Sequence, residues 1–255
     1  MTTLHPDFLR KPLAHRGLHD RDAGRPENSR AGCRAAIQAG YGIEIDLQLS
    51  ADGKAMVFHD YDLTRLTGTR GALHGHDAKA LAKIPLLGGD EGIPTLDEIL
   101  DLVDGQVPLL IELKDQDGNM GPDVGSLEAA TGAALQGYSG PVAVMSFNPH
   151  SVAAMADTAP TVPRGIVTSA YTAEDWPLLP KAARDRLAAI PDYDRTGACF
   201  VSHEVEDLGR PRLEELRRLG AAIFCWTVRS EAQEVEARRV ADNITFEGYL
   251  AALQG

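Results

Sequence analysis

The stretch "GIEIDLQLSADGKAMVFHD" at residues 42 to 60 decides the fold. It contains two strand-like runs, "GIEIDLQLS" (42 to 50) and "AMVFHD" (55 to 60), with only "ADGK" between them. Parallel neighbours need a crossover of roughly a dozen residues or more, so these two runs must form an antiparallel hairpin turning at Asp52-Gly53. The second run is therefore an excursion from the sheet to which the first belongs.

Outward from the hairpin, apolar and β-branched runs alternate with stretches of helical periodicity, the signature of βαβ units. The strand runs are "KPLAHRG" (11 to 17), "GIEIDLQLS" (42 to 50), "PLLIELK" (108 to 114), "PVAVMSF" (141 to 147), "RGIVTS" (164 to 169), "GACFVSH" (197 to 203), "AAIFCWTV" (221 to 228) and "ADNITFEG" (241 to 248). Helical stretches between them include "SRAGCRAAIQAG", "TLDEILDLV", "GSLEAATGAALQG", "PHSVAAMAD", "PLLPKAARDRLAAI", "PRLEELRRLG" and "EAQEVEARRV". Eight parallel strands with helices between them predict an α/β fold, a closed (β/α)8 TIM barrel spanning residues 1–255 as one domain. Residues from about 51 to 93 fall to a small insertion after the second strand, a hairpin followed by a Gly- and His-rich loop over the barrel mouth.

The chain's 255 residues suit one barrel or two small domains, since α/β barrels commonly run to about 250 residues. Its net charge of −12, with basic residues scattered, argues against a nucleic-acid partner, which needs a basic face. A small anionic substrate held through a metal remains compatible with that charge. Cys33, Cys199 and Cys225 are far apart, odd in number and without paired zinc spacing, so they read as reduced core thiols. With no signal-like leader and no run of eighteen apolar residues, a cytoplasmic protein without an integral membrane segment is expected. Oligomeric state leaves no signal in the sequence.

Active sites of such barrels lie at the C-terminal strand ends. Glu44 and Asp46 on the second strand, at i and i+2, point the same way, as do Glu112 and Lys114 on the third. Three carboxylates on neighbouring strand ends repel one another unless a cation sits between them. The alternative, three solvated acids, fits poorly because Glu and Asp are depleted within strands and here interrupt apolar runs. All-oxygen ligands select Mg²⁺, Ca²⁺ or Mn²⁺ over zinc.

The hairpin brings His59 roughly opposite Asp46, and His15 ends the neighbouring first strand. Two imidazoles flanking one metal-bound phosphate can divide general acid and general base between them. Taken singly, each would more often be structural. Arg16 and Lys114 add donors for phosphate oxygens, although Arg16 could equally pair with Glu27 or a site acid. Gly17 is expected to let the backbone approach a ligand closely. "PENS" (26 to 29) reads as a helix start with Asn28 or Ser29 as N-cap, leaving Glu27 and Asn28 as supports. His19 and Asp20 are assigned to the following loop, outside the site.

"HRG", "PENS", "EIDLQLSADGKAMVFHD", "IELK", "SF" and "WTV", in this order across nearly the whole chain, resemble the glycerophosphodiester phosphodiesterase family. The resemblance implies a distorted (β/α)8 barrel, one divalent metal on Glu44, Asp46 and Glu112, acid–base catalysis by His15 and His59, and phosphate contacts from Arg16 and Lys114. It also implies that Trp226 lines the pocket; as a residue alone, Trp226 reads as core. The implied reaction is hydrolysis of glycerophosphodiesters to sn-glycerol 3-phosphate and an alcohol through a cyclic phosphate, with His15 as base and His59 as acid. Competing readings are action on larger lysophospholipids and a non-catalytic phosphodiester-binding barrel, while a binuclear hydrolase would carry "HxH" where this chain has "HRG". The chain departs from the family where its last strand reads "ITFEG" instead of a pattern like "ITD", which bears on the pocket wall. His203, after "FVS", reads as a loop residue, with contact to the leaving group as the alternative.

Overall fold

The computed structural model describes residues 2–253. Eight strands, β1 (Leu13–Ala14), β2 (Gly42–Leu49), β4 (Leu109–Leu113), β5 (Val142–Ser146), β6 (Arg164–Thr168), β7 (Phe200–Glu204), β8 (Ala222–Val228) and β9 (Asn243–Phe246), pair in parallel and close through β1, which pairs with both β2 and β9. The (β/α)8 barrel expected from the alternation is therefore present. The remaining strand, β3 (Ala55–Val57), pairs antiparallel with β2, Leu47 opposite Val57 and Leu49 opposite Ala55. Gly53 makes the turn at φ +75°, a conformation costly for residues with a Cβ.

Helices α1 (Arg30–Ala39), α4 (Leu96–Val103), α5 (Ser126–Ala134), α6 (Pro149–Thr158), α7 (Lys181–Ala188), α9 (Pro211–Arg218) and α10 (Glu231–Ala237) coincide with the helical periodicities. Three one-turn helices, α2 (Thr64–Thr67), α3 (Ala78–Leu81) and α8 (Tyr193–Thr196), were not expected; four residues are too few to carry a periodic pattern. Ser29 is the N-cap of α1, its hydroxyl accepting from Gly32 N at 3.0 Å. Thr95 and Glu98 form a capping box at the start of α4.

Alternation along the strands separates two apolar layers. Ile43, Ile45 and Leu47 of β2, with Leu109, Ile111 and Leu113 of β4, face outward into the cluster shared with the helices. Leu110, Ala143, Met145, Val167, Phe200 and Phe224 fill the barrel interior with Leu13 and Phe8. Phe8 comes from the short turn Pro6–Leu9, whose backbone is tied to β9 by Asn243 Nδ2 donating to the carbonyls of Phe8 and Lys11, each at 2.7 Å. Gly165 is required beside Phe200, because a Cβ there would lie 2.3 Å from the ring. This packing closes the barrel's lower half and leaves the C-terminal mouth to the polar residues.

Between β3 and α4 the chain forms a smaller buried cluster of its own: Met56, Phe58, Leu63, Leu73, Leu81, Leu86 and Ile93. It anchors the hairpin and so fixes the position of His59. No helix among the described residues is long and apolar enough to cross a membrane.

Candidate active site

Strand β1 is shorter than the run "KPLAHRG" suggests. Arg16 (φ +55°) and Gly17 (φ +80°) turn the backbone out of the extended region immediately after His15. Gly17 is needed for contact with the chain itself, because a Cβ would stand 2.9 Å from the carbonyl carbon of Gly32 in α1. The expected close approach is thus between backbone segments, and it leaves His15 and Arg16 at the mouth.

Glu44, Asp46 and Glu112 lie on adjacent strands with Asp46 in register with Glu112, and each offers a carboxylate oxygen to a group whose atoms lie within 4.8 Å of one another. All three are buried. Lys114 Nζ bridges Asp46 Oδ1 at 2.8 Å and Glu112 Oε1 at 2.7 Å, while Arg16 Nε stands 3.2 Å from Asp46 Oδ2. Burial works against the Asp46 charge, but Lys114, His59, Arg16 and His15 outweigh it and hold this carboxyl well below its usual range. Burial, with Asp46 and Glu112 as negative neighbours, pushes Glu44 well above its usual range. Its direct donor is the backbone N–H of Arg16 at 3.0 Å.

This asymmetry tests the fit to a metal. The existing cations compensate Asp46, whereas at Glu44 burial and the negative charges of Asp46 and Glu112 outweigh Arg16. A hard divalent cation among the three oxygens would supply the missing charge, and an all-carboxylate set suits Mg²⁺, Ca²⁺ or Mn²⁺.

Asn28 belongs to this shell and caps no helix. Its Nδ2 donates to Asp46 Oδ2 at 2.9 Å, and its Oδ1 accepts from Asp46 N at 3.1 Å. Arg16 also pairs with Glu27 at 2.7 Å, so both alternatives read from the sequence are realised.

In the hairpin Phe58 stands opposite Asp46, its N–H donating to the Asp46 carbonyl at 2.9 Å, and His59 follows one residue on. His15 and His59 line one cleft with Arg16, the three carboxylates, Lys114 and Trp226. His59 Nδ1 is 2.6 Å from Asp60 Oδ1, and Arg65 clamps Asp60 and Glu27. Burial lowers the His15 pKa and outweighs the opposing hydrogen bond that His15 donates to Glu247.

Several residues in contact with the candidate site were missed in the sequence. Asp60 directly follows His59, and the adjacent "HD" was a usable signal. Glu247 Oε2 lies 2.5 Å from His15 Nδ1, and His19 Nε2 is 3.6 Å from the same oxygen, so His19 stands beside the site instead of apart from it. Phe246 does not shape the pocket wall: it is buried in the outer layer against Tyr41 and Tyr249. His203 is likewise no loop residue. It is buried in β7, with Nδ1 2.7 Å from the Thr168 hydroxyl and Nε2 3.2 Å from Asp207.

Beside the charged cleft opens a cavity of 590 Å³ lined by His59, Tyr61, Met120, Phe147, Trp176 and Trp226. Trp226 shares its edge with both spaces, its Nε1 donating to the Ser202 carbonyl at 3.1 Å. Phe147 joins the two tryptophans, with ring centroids 5.1 Å from Trp176 and 5.5 Å from Trp226.

The Bacillus subtilis protein YhdW is 28% identical over 245 residues, covering 91% of this chain and 93% of that protein. A glycerophosphodiester phosphodiesterase of Caldanaerobacter subterraneus is 26% identical over 242 residues, 91% of each chain. An Oleispira antarctica phosphodiesterase, solved in complex with the product sn-glycerol-3-phosphate, shares the fold with a TM-score of 0.76 at 24% identity, over 94% of this chain and 93% of that one. The model of the glycerophosphoryl diester phosphodiesterase family matches residues 15–244, from the first site histidine to the last barrel strand. The chain belongs to that family.

Proposed function

We propose that this protein hydrolyses glycerophosphodiesters to sn-glycerol 3-phosphate and an alcohol. The observation that carries the reading is one cleft in which His15 and His59 share the barrel mouth with Glu44, Asp46, Glu112, Arg16 and Lys114. Glu44, Asp46 and Glu112 would hold one divalent cation, Mg²⁺ or Ca²⁺ with Mn²⁺ as a further candidate. Bound there, it would act as a Lewis acid toward a phosphoryl oxygen and neutralise developing charge.

His15 takes the proton of the glycerol 2-hydroxyl, whose oxygen attacks phosphorus. The bond from phosphorus to the alcohol breaks, and His59 protonates the departing oxygen. Water then opens the cyclic phosphate with the two roles reversed. Arg16 and Lys114 orient the phosphate oxygens, Glu27 holds Arg16, Asn28 aligns Asp46, and Trp226 borders the alcohol. The 590 Å³ cavity, whose wall joins Phe147, Trp176, Trp226 and Met120 to the acids Asp60, Asp62 and Asp115, favours a second reading, action on lysophospholipids, whose acyl chain would lie against the aromatic rings. Free thiols at Cys33, Cys199 and Cys225 suit a cytoplasmic location.

The test is release of sn-glycerol 3-phosphate from glycerophosphocholine and of 1-acyl-sn-glycerol 3-phosphate from lysophosphatidylcholine, each with free choline, with and without EDTA and with each metal restored. Product formation that survives exhaustive chelation would sink the metal-dependent mechanism, and product from neither substrate would sink the activity.

A further inference from the structure

We propose that Glu247 is the positioning residue of His15, holding its Nδ1 proton so that the Nε2 lone pair faces the substrate. The inference rests on the reading of His15 as the proton acceptor. Its origin lies in barrel closure: β9 pairs with β1 with Ala14 in register with Phe246, so His15 and Glu247, each one residue further on, emerge side by side. The backbones are joined at that level by His15 N donating to the Phe246 carbonyl at 2.9 Å. Phe246 is turned outward into the apolar layer, so the acid that reaches the mouth from this strand end comes from the next position.

Glu247 Oε2 lies 2.5 Å from His15 Nδ1, while His15 Nε2 stands 4.0 Å from Glu44 Oε2 on the cleft side. The carboxylate is itself held. Arg229 donates Nε to Oε1 at 2.8 Å and its Nη2 lies equally close, while His19 Nε2 approaches Oε2 to 3.6 Å. A carboxylate fixed on one ring nitrogen selects the Nδ1–H tautomer and the ring's orientation. His59 has the parallel arrangement, with Asp60 on its Nδ1 and Arg65 on Asp60. The His15, His19 and Glu247 group is read as hydrogen-bonded and not as a metal cage, because 2.5 Å is shorter than the separation of about 3.4 Å that tetrahedral ligands at about 2.1 Å from zinc must keep.

The test compares wild type with Glu247→Ala and Glu247→Gln, using selective nitrogen-15 histidine labelling to read the His15 tautomer and steady-state kinetics on glycerophosphocholine. The His15 resonances are assigned with His15→Gln, and thermal melts verify that each variant is folded. Glu247→Ala should leave His15 as a mixture of tautomers and lower kcat on the order of 10- to 100-fold with KM little changed. Glu247→Gln keeps an acceptor oxygen and should retain the Nδ1–H tautomer and recover part of that loss. A wild-type kcat in folded Glu247→Ala, or a His15 ring that stays Nδ1–H there, overturns the proposal. If wild type cleaves no phosphodiester, the proton-acceptor reading fails, and the tautomer measurement alone decides whether Glu247 positions the ring.

Discussion

Asn28 holds Asp46 twice, donating to its carboxylate at 2.9 Å and accepting from its backbone N–H at 3.1 Å. Both contacts are buried, and Asn28 makes them from φ +55°, a left-handed conformation that asparagine tolerates better than most residues. Asn28→Ala removes both contacts and leaves the Asp46 carboxylate oriented by Lys114 and Arg16 alone. Loss of such a ligand-orienting group typically costs 10–100-fold, so the metal concentration for half-maximal activity should rise by about that factor. Titration of activity with Mg²⁺ or Ca²⁺ measures it, and an unchanged half-saturation concentration would remove Asn28 from the metal shell.

The charge imbalance at Glu44 has a stability consequence that chelation exposes. Saturating metal at about 100 times its Kd adds roughly 2.7 kcal/mol, which in a chain of this size raises the melting temperature by about 5–10 °C. Glu44→Gln removes the carboxylate that Asp46 and Glu112 repel, so it should melt about 2–4 °C above the EDTA-treated wild type. It should also lose most of the metal-induced rise. Calorimetry with and without EDTA decides both; a Glu44→Gln protein less stable than the chelated wild type would refute the electrostatic account.

How far the sequence disclosed this site follows from the range of the interactions. The period-two alternation of β2 and β4 is local, so the shared direction of Glu44, Asp46 and Glu112 was legible, as was the hairpin that delivers His59. The early end of β1 was not, because Arg16 is a non-glycine residue at positive φ, a conformation that local propensity does not foresee. Glu247 was hidden for a different reason. Its nearness to His15 depends on β9 closing against β1, two segments separated by 232 residues, and on a register that strand propensities do not encode. His203 shows the converse: a histidine beside charged residues in sequence is buried between Thr168 and Asp207 in the fold.

An ion-pair chain, Arg16–Glu27–Arg65–Asp60, ties the barrel to the segment carrying His59. Burial opposes the Glu27 charge, but hydrogen bonds from Arg65 and Arg16 and their positive charges hold its pKa below the ordinary 4.5. A carboxyl whose folded pKa is depressed contributes stability that is fully present above its unfolded value. That contribution drains away as pH falls through the lower folded value. Glu27→Gln should therefore be less stable than wild type at pH 7, with the difference narrowing below about pH 4.5. Urea unfolding at pH 7, 5 and 3.5 measures this difference, and one that widens toward acid would contradict the sign.

The aromatic wall decides between the two substrate classes. Phe147, Trp176 and Trp226 line the 590 Å³ cavity; of these three, Phe147 and Trp226 also line the charged cleft, as do His59, Glu112 and Lys114. Trp176 therefore lines the cavity without lining the charged cleft, and changing it tests the cavity apart from phosphate chemistry. If an acyl chain lies against it, Trp176→Ala removes apolar contact worth roughly 1.5 kcal/mol, which corresponds to about a tenfold loss in kcat/KM for lysophosphatidylcholine. Glycerophosphocholine, which carries the same choline but no acyl chain, should lose much less. Kinetics with both substrates on wild type and Trp176→Ala give the comparison, and equal losses would mean that the cavity does not receive the acyl chain.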